Sequence, residues 1–127
     1  MPAEAPTRHV VITGVGLVSP LGNSPQQLWA ALRAGRSGVG DIPHLTLASY
    51  RTRVGGAVRE FQPRDYIKDG KSLKLMTRPV RLGVAAVELA VRDAGLDTAA
   101  SLAGLDPARI ASYVGSPGHA GDRDELL

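Results

Sequence analysis

The stretch from Arg8 to Gly22, RHVVITGVGLVSPLG, constrains this chain more than any other. Val10, Val11, Ile12, Val15, Leu17 and Val18 make it almost continuously apolar, without polar alternation. A β-branched run of this kind suits a strand covered on both faces, in the middle of an α/β sheet. Gly14 and Gly16 carry no side chain and admit a neighbouring backbone or helix at close range. Pro20 removes a ladder donor and ends the strand. The expectation is a central strand feeding a helix.

That helix begins at Ser24-Pro25-Gln26-Gln27. Ser24 is a good cap, Pro25 suits the first helical position, and Gln27 completes a capping box. Leu28, Trp29 and Leu32 form its apolar stripe, and Gly35 is a natural stop. Residues 36–52, with several glycines and Pro43, predict a long connection with little regular structure. RVGGAVREF, residues 53–61, predicts a second strand weakened by Gly55-Gly56. Residues 62–75 predict a short helix plus loop.

A long helix follows, capped by Thr77, with Pro79 in its first turn and Gly95 at its end. Val80, Val84, Val87 and Val91 fall on one stripe, and Gly83, Ala86, Ala90 and Ala94 make a small-residue face. Glu88 and Arg92 form a favourable i, i+4 pair on a narrow polar edge, so the helix is expected to be mostly buried. Residues 97–106 read as a linker, residues 109–115 (RIASYVG) as a third strand, and SPGHAGDRD as a loop. Alternating strands and helices predict a layered α/β fold.

The 127 residues amount to one domain or part of one, and 43% of them are hydrophobic, enough for a core. With no cysteine, the chain itself holds no disulfide, thiolate metal site or cysteine nucleophile. No apolar run approaches a membrane span, and MPAEAPTRH lacks the basic and apolar regions of a signal peptide, so a cytoplasmic location is expected. Charge is the informative variable. Arg64, Lys68, Lys71, Lys74, Arg78 and Arg81 stand against Asp65 and Asp69, a local net of +4, whereas the whole chain carries only +3. A cluster holding the entire positive excess predicts attraction of an acidic partner. Only Tyr66 is near enough for base stacking and no nucleic-acid motif is present, so nucleic acid is not the expected partner.

Thr13-Gly14-Val15-Gly16 after a strand suggests a dinucleotide site. Ser19 stands where the third glycine belongs, however, and the helix opens only after Ser24. Glycines packed against a neighbouring element are the favoured reading. His9, His44 and His119 do not converge in sequence; His119, in a glycine-flanked loop past a strand end, has the best position for function.

The opening RHVVITGVGLVSPLGNSPQQLWAALRAGRSGVG resembles the N-terminus of the β-ketoacyl-acyl carrier protein synthases, the condensing enzymes of the thiolase fold. The resemblance continues co-linearly through RVGGAVREFQPRDYI, KSLKLMTRPVRLGVAAVELAVRDAGLD and DPARIASYVGSPG, covering residues 8–118. It implies the N-terminal portion of a thiolase-like fold, a layered α/β architecture with a buried central sheet. Residues 1–7 would be a lead-in and residues 8–127 the synthase N-terminal domain, incomplete before the catalytic residues.

The resemblance further implies acyl transfer and decarboxylative condensation in fatty acid or polyketide synthesis, with an acyl carrier protein as partner. Homodimers, or pairing with a similar ketosynthase chain, are implied as well; no cofactor is. Aligned on Met76, Lys71 and Lys74 occupy the family's carrier-docking positions, assisted by Lys68. Ser116, Pro117, Gly118 and His119 fall in the acyl-pocket loop. The family's nucleophilic cysteine, two histidines and lysine match no residue of this chain, so the chain alone is expected to be inactive.

Two departures stand out. Met76-Thr77-Arg78-Pro79 replaces the family's Met-Asp-Arg-Phe, and Gly115-Ser116-Pro117-Gly118-His119-Ala120 replaces its Gly-Ser-Gly-Ile-Gly-Gly. The first removes an aromatic contact near the dimer interface, and the second bears on chain-length preference. The alternative reading is a non-catalytic ketosynthase-like partner that binds a carrier or a complementary chain; a dinucleotide-dependent oxidoreductase comes third.

Overall fold

The structure is a computed structural model that describes residues 9–42 and 51–115. Helix α1 (Pro25–Arg33) starts where Ser24 caps it: Ser24 Oγ accepts from Gln27 N at 3.2 Å. Gln27 reaches back one residue further than a capping box requires, its Oε1 accepting from Asn23 N at 2.8 Å. The reciprocal pattern therefore closes over Asn23 instead of Ser24. Ala31 is buried, whereas Trp29 and Leu32 of the expected stripe face outward.

Strand β1 (Val39–Asp41) pairs antiparallel with β2 (Val54–Gly56), in the register Val39–Gly56, Gly40–Gly55, Asp41–Val54. The connection after α1 thus holds a strand that its glycines concealed. The strand expected over residues 53–61 shortens to three residues, because glycines on both sides leave few side chains to pair. A 3-10 turn at Pro63–Asp65 follows, then α2 (Gly70–Leu75), α3 (Arg78–Asp93) and α4 (Ala99–Leu102). A second 3-10 turn, Pro107–Arg109, is fixed by Asp106, whose Oδ1 accepts from Ala108 N at 3.0 Å.

The run from Val10 to Val18 corrects the sequence expectation. Among the described residues it pairs with no strand; the bridge that follows it, Ser19–Gly22, closes the turn around Pro20. It lies instead along α3. Val15 N donates to Asp93 Oδ2 at 2.8 Å, and Gly14 and Gly16 sit against the α3 backbone. A Cβ on Gly14 would stand 2.6 Å from Ala94 N, and one on Gly16 would overlap Ala86 O and Ala90 N. The close approach read from the two glycines is therefore present, with Ala86, Ala90 and Ala94 as the surface approached. The covering of both faces is not: Val10 is 96% exposed and Ile12 87%.

Residues 109–115, expected as a third strand, form no strand either: Arg109 ends the second 3-10 turn, and Ile110, Tyr113 and Val114 are exposed. Strand pairing is a non-local choice, and neither apolar run has a strand beside it among the described residues. Helix α3 spans the predicted range and ends at Gly95, whose φ of +68° a side chain would strain. It is less buried than expected. Ala85 is its one fully buried residue, and Val80 and Val87 are exposed. Thr77 holds the N-cap position without a capping hydrogen bond from its side chain, and its Oγ1 is buried without a partner. Glu88 and Arg92 form the predicted ion pair at 2.9 Å. The linker after α3 contains α4, closed by a Thr98–Ser101 capping box.

The packed centre is small. Phe61 and Ile67 are buried beside the first 3-10 turn, Phe61 stacks on Tyr66 at 5.7 Å, and α3 packs on the turn.

Candidate functional site

The sequence drew attention to the basic run between Arg64 and Arg81, and the fold divides it. Arg64, Lys68, Lys71 and Lys74 are exposed. Arg78 is committed to structure: its Nη2 donates to Val58 O at 2.6 Å. Arg81 is half-buried and its Nε is closed off from solvent without a partner. The cluster is thus four outward cations in front of two that belong to the start of α3. No ion pair engages Lys68, Lys71 or Lys74 among the described residues.

Helix α2 positions the central pair. Lys71 and Lys74 lie three residues apart in it, so their side chains share a face. A six-residue helix does not hold itself; Asp69 holds it. The Asp69 carboxylate accepts from the Ser72 hydroxyl, from Lys71 N at 3.0 Å and from Ser72 N at 3.2 Å. The Ser72 hydroxyl, then the two amides, keep the Asp69 carboxyl below its ordinary range, because each stabilises the charged form. Leu73 in α2 and Met76 just after it are half-buried, while Leu75 is left outside. Sequence reasoning recorded the lysines and overlooked Leu75. Its signal was an apolar residue at a position where the stripe of α2 calls for a polar one.

The face before α2 is held from two sides. Asn23 Nδ2 donates to Glu60 O at 3.2 Å, and Arg78 donates to Val58 O, so residues 58–60 are tied to the starts of both α1 and α3. Arg92 Nη2 donates to Asp65 O at 3.4 Å while its guanidinium pairs with Glu88. A cleft of about 390 Å³ opens between the Ser19–Gly22 turn and residues 58–60, lined also by Gln27 and Arg36. Arg59, on its wall, is occupied by Asp41 O at 2.8 Å.

Of the other candidates, His9 is exposed at the edge of the extended segment. His44 and the loop residues Ser116, Pro117, Gly118 and His119 lie outside the described residues. Gly14 and Gly16 face the α3 backbone and not open space, so no phosphate reaches the pair that suggested a dinucleotide site.

The profile described as "Beta-ketoacyl synthase, N-terminal domain" matches residues 7–126. The chain belongs to the β-ketoacyl synthase family. It is 37% identical over 111 residues to the 3-oxoacyl-[acyl-carrier-protein] synthase 2 of Vibrio cholerae, covering 86% of this chain and 25% of that protein. It is 38% identical over 97 residues to the tetracenomycin polyketide synthase ketoacyl synthase beta subunit of Streptomyces glaucescens, covering 76% of this chain and 23% of that one. Among solved structures, the ishigamide ketosynthase/chain length factor superposes with a TM-score of 0.64 at 35% identity, over 72% of this chain and 22% of the other. The fold is accordingly part of a thiolase-like α/β fold, and the chain spans about a quarter of the length of the curated relatives it matches. A 3-oxoacyl-[acyl-carrier-protein] synthase and a polyketide synthase subunit are thus both among those relatives.

Proposed function

We propose that these residues are the N-terminal domain of a β-ketoacyl-acyl carrier protein synthase, and that Lys71, Lys74 and Lys68 dock its acyl carrier protein. The activity of the whole enzyme is acyl transfer to a cysteine, followed by condensation with a decarboxylating malonyl unit held on the carrier. The profile match over residues 7–126 carries this reading. The chain's own contribution is scaffold, dimer surface and docking face, with Ser116 to His119 lining the acyl pocket. The 127 residues hold no thiol to acylate, so alone they form no acyl-enzyme on cysteine and no condensation product. The working assembly is a homodimer or a pair with a similar ketosynthase chain, in the cytoplasm. Among the described residues no helix is long and apolar enough to cross a membrane.

The second reading, a non-catalytic ketosynthase-like subunit, is supported by likeness to a ketoacyl synthase beta subunit and to a ketosynthase/chain length factor pair. Both readings need the carrier-docking face; only the first needs a catalytic cysteine in the full-length protein.

Charge reversal tests the docking face. Each exposed contact is worth only about 0.2–1 kcal/mol, so single substitutions are expected to be nearly silent. Lys71→Glu together with Lys74→Glu turns attraction into repulsion over one face of α2. Carrier association, followed by stopped-flow fluorescence at low salt, should slow at least severalfold, and the difference should shrink at high salt as screening shortens. A small acyl thioester, which needs no docking face, should be consumed at an unchanged rate. Unchanged carrier association at low salt would reduce the cluster to a solvated face.

A further inference from the structure

Leu75 is the last residue of α2 and is 88% exposed. One exposed leucine is ordinary on a protein surface; the setting of this one is not. Lys71 stands one turn before it, at i−4, and Lys74 immediately before it, both exposed and without an ion pair among the described residues. The helix stops there because Met76 and Thr77 both take extended backbone, so no further turn of α2 covers the side chain. Leu73 and Met76, half-buried, fix which way the short helix faces. The result is an apolar side chain held out between ammonium groups on a capped element.

We propose that Leu75 is the apolar anchor of the carrier-docking face, seated in an apolar groove of the acidic partner while Lys71 and Lys74 meet the carboxylates on the groove's rim. This rests on the docking role given to the lysines above. Charge complementarity chooses the occupant. An apolar tip between cations is matched by an apolar groove between carboxylates, whereas a second copy of this face would bring like charge against like. An anionic lipid surface shares the charge, but a single outward leucine on six residues offers too little apolar area to hold a membrane. The labour divides accordingly: the lysines set how fast the partner arrives, and Leu75 sets how long it stays.

The test uses the full-length protein and purified holo acyl carrier protein, with association and dissociation rates measured at low and high salt. Leu75→Ala removes an exposed side chain and leaves the fold intact. It should weaken binding about 10–50-fold through faster dissociation, by the same factor at both salt concentrations. Leu75→Met should restore most of the affinity, and the double lysine reversal should act instead on the salt-dependent association rate. If the reversal slows association while Leu75→Ala leaves dissociation unchanged, the anchor is overturned and the docking face stands. If neither variant affects carrier binding, both fall. A changed sedimentation coefficient of Leu75→Ala at unchanged dissociation would show that the protein itself covers Leu75, and would overturn the proposal. Leu75-dependent binding to phosphatidylglycerol vesicles without carrier would overturn it too.

Discussion

Gly16 sets how closely the extended segment approaches α3. A Cβ there would overlap Ala86 O and Ala90 N, both backbone atoms, which cannot rotate away as a side-chain tip can. Gly16→Ala should therefore force the segment off the helix, costing about 1–3 kcal/mol as an overpacked contact does. Gly83, on the same helix, is the control, since nothing lies within 4 Å of its missing Cβ. Gly83→Ala should be neutral or stabilising by about 0.5–1 kcal/mol, through helix propensity. Urea midpoints of the two variants of the full-length protein distinguish a local clash from a general intolerance of alanine; equal losses at both positions would sink this account. At this scale the sequence was legible. The two glycines in an apolar run and the small-residue face of α3 each read as a surface for close packing; that they meet each other, through Ala86, Ala90 and Ala94 and not Gly83, is what the structure adds. What it did not disclose was the end use of individual polar groups. Arg78 and Arg81 read as members of a basic patch, yet one is bonded to Val58 O and the other has its Nε closed off.

Among the elements, α1 and α3 were legible, α4 went unread inside a linker, and of the strands only β2 was read, for a physical reason. A helix is specified by its own residues: Ser24 and Asp69 cap α1 and α2 directly, and Gly35 and Gly95 stop α1 and α3. A strand needs a partner the local sequence does not name. The runs at residues 10–18 and 110–115 have strand composition and no strand beside them, while Val39–Asp41 pairs through glycines that read as loop. The docking face proposed for α2 would inherit its order from one cap. Asp69→Ala removes the acceptor for two amides of α2 and should fray it, raising hydrogen exchange at Lys71 and Ser72 and slowing carrier association. Asp69→Asn, which still caps, should do neither. Acid should mimic the alanine. The folded-state pKa is lowered, so the cap's contribution is full above the ordinary carboxylate pKa and is lost as pH falls through the lowered value. Exchange at these amides that ignores both the substitution and the acid would remove Asp69 from the account.

On the scale of the whole molecule, the balance of buried and open apolar surface governs behaviour. The apolar side chains buried among the described residues are Ala31, Phe61, Ile67 and Ala85, only two of them large. Sixteen large apolar residues are exposed among the described residues, and seven of them are not scattered. Val10, Val11, Ile12 and Val15 run along one segment, and Ile110, Tyr113 and Val114 along another. Continuous apolar strips with unpaired backbone beside them are templates for association. The 127-residue chain, prepared by itself, should self-associate at micromolar concentration, bind a hydrophobic dye and unfold with a midpoint that rises with concentration. In the full-length protein the amides of residues 10–18 should instead be strongly protected from exchange, because the same strip is then covered. Sedimentation across a dilution series and hydrogen exchange on both proteins make the comparison. A monomer at tens of micromolar with a sharp, reversible transition would show that these residues need no cover. Equal, weak protection of residues 10–18 in both proteins would show that the strip stays open in the longer protein, and the reading of this run as part of a buried central sheet would fail with it.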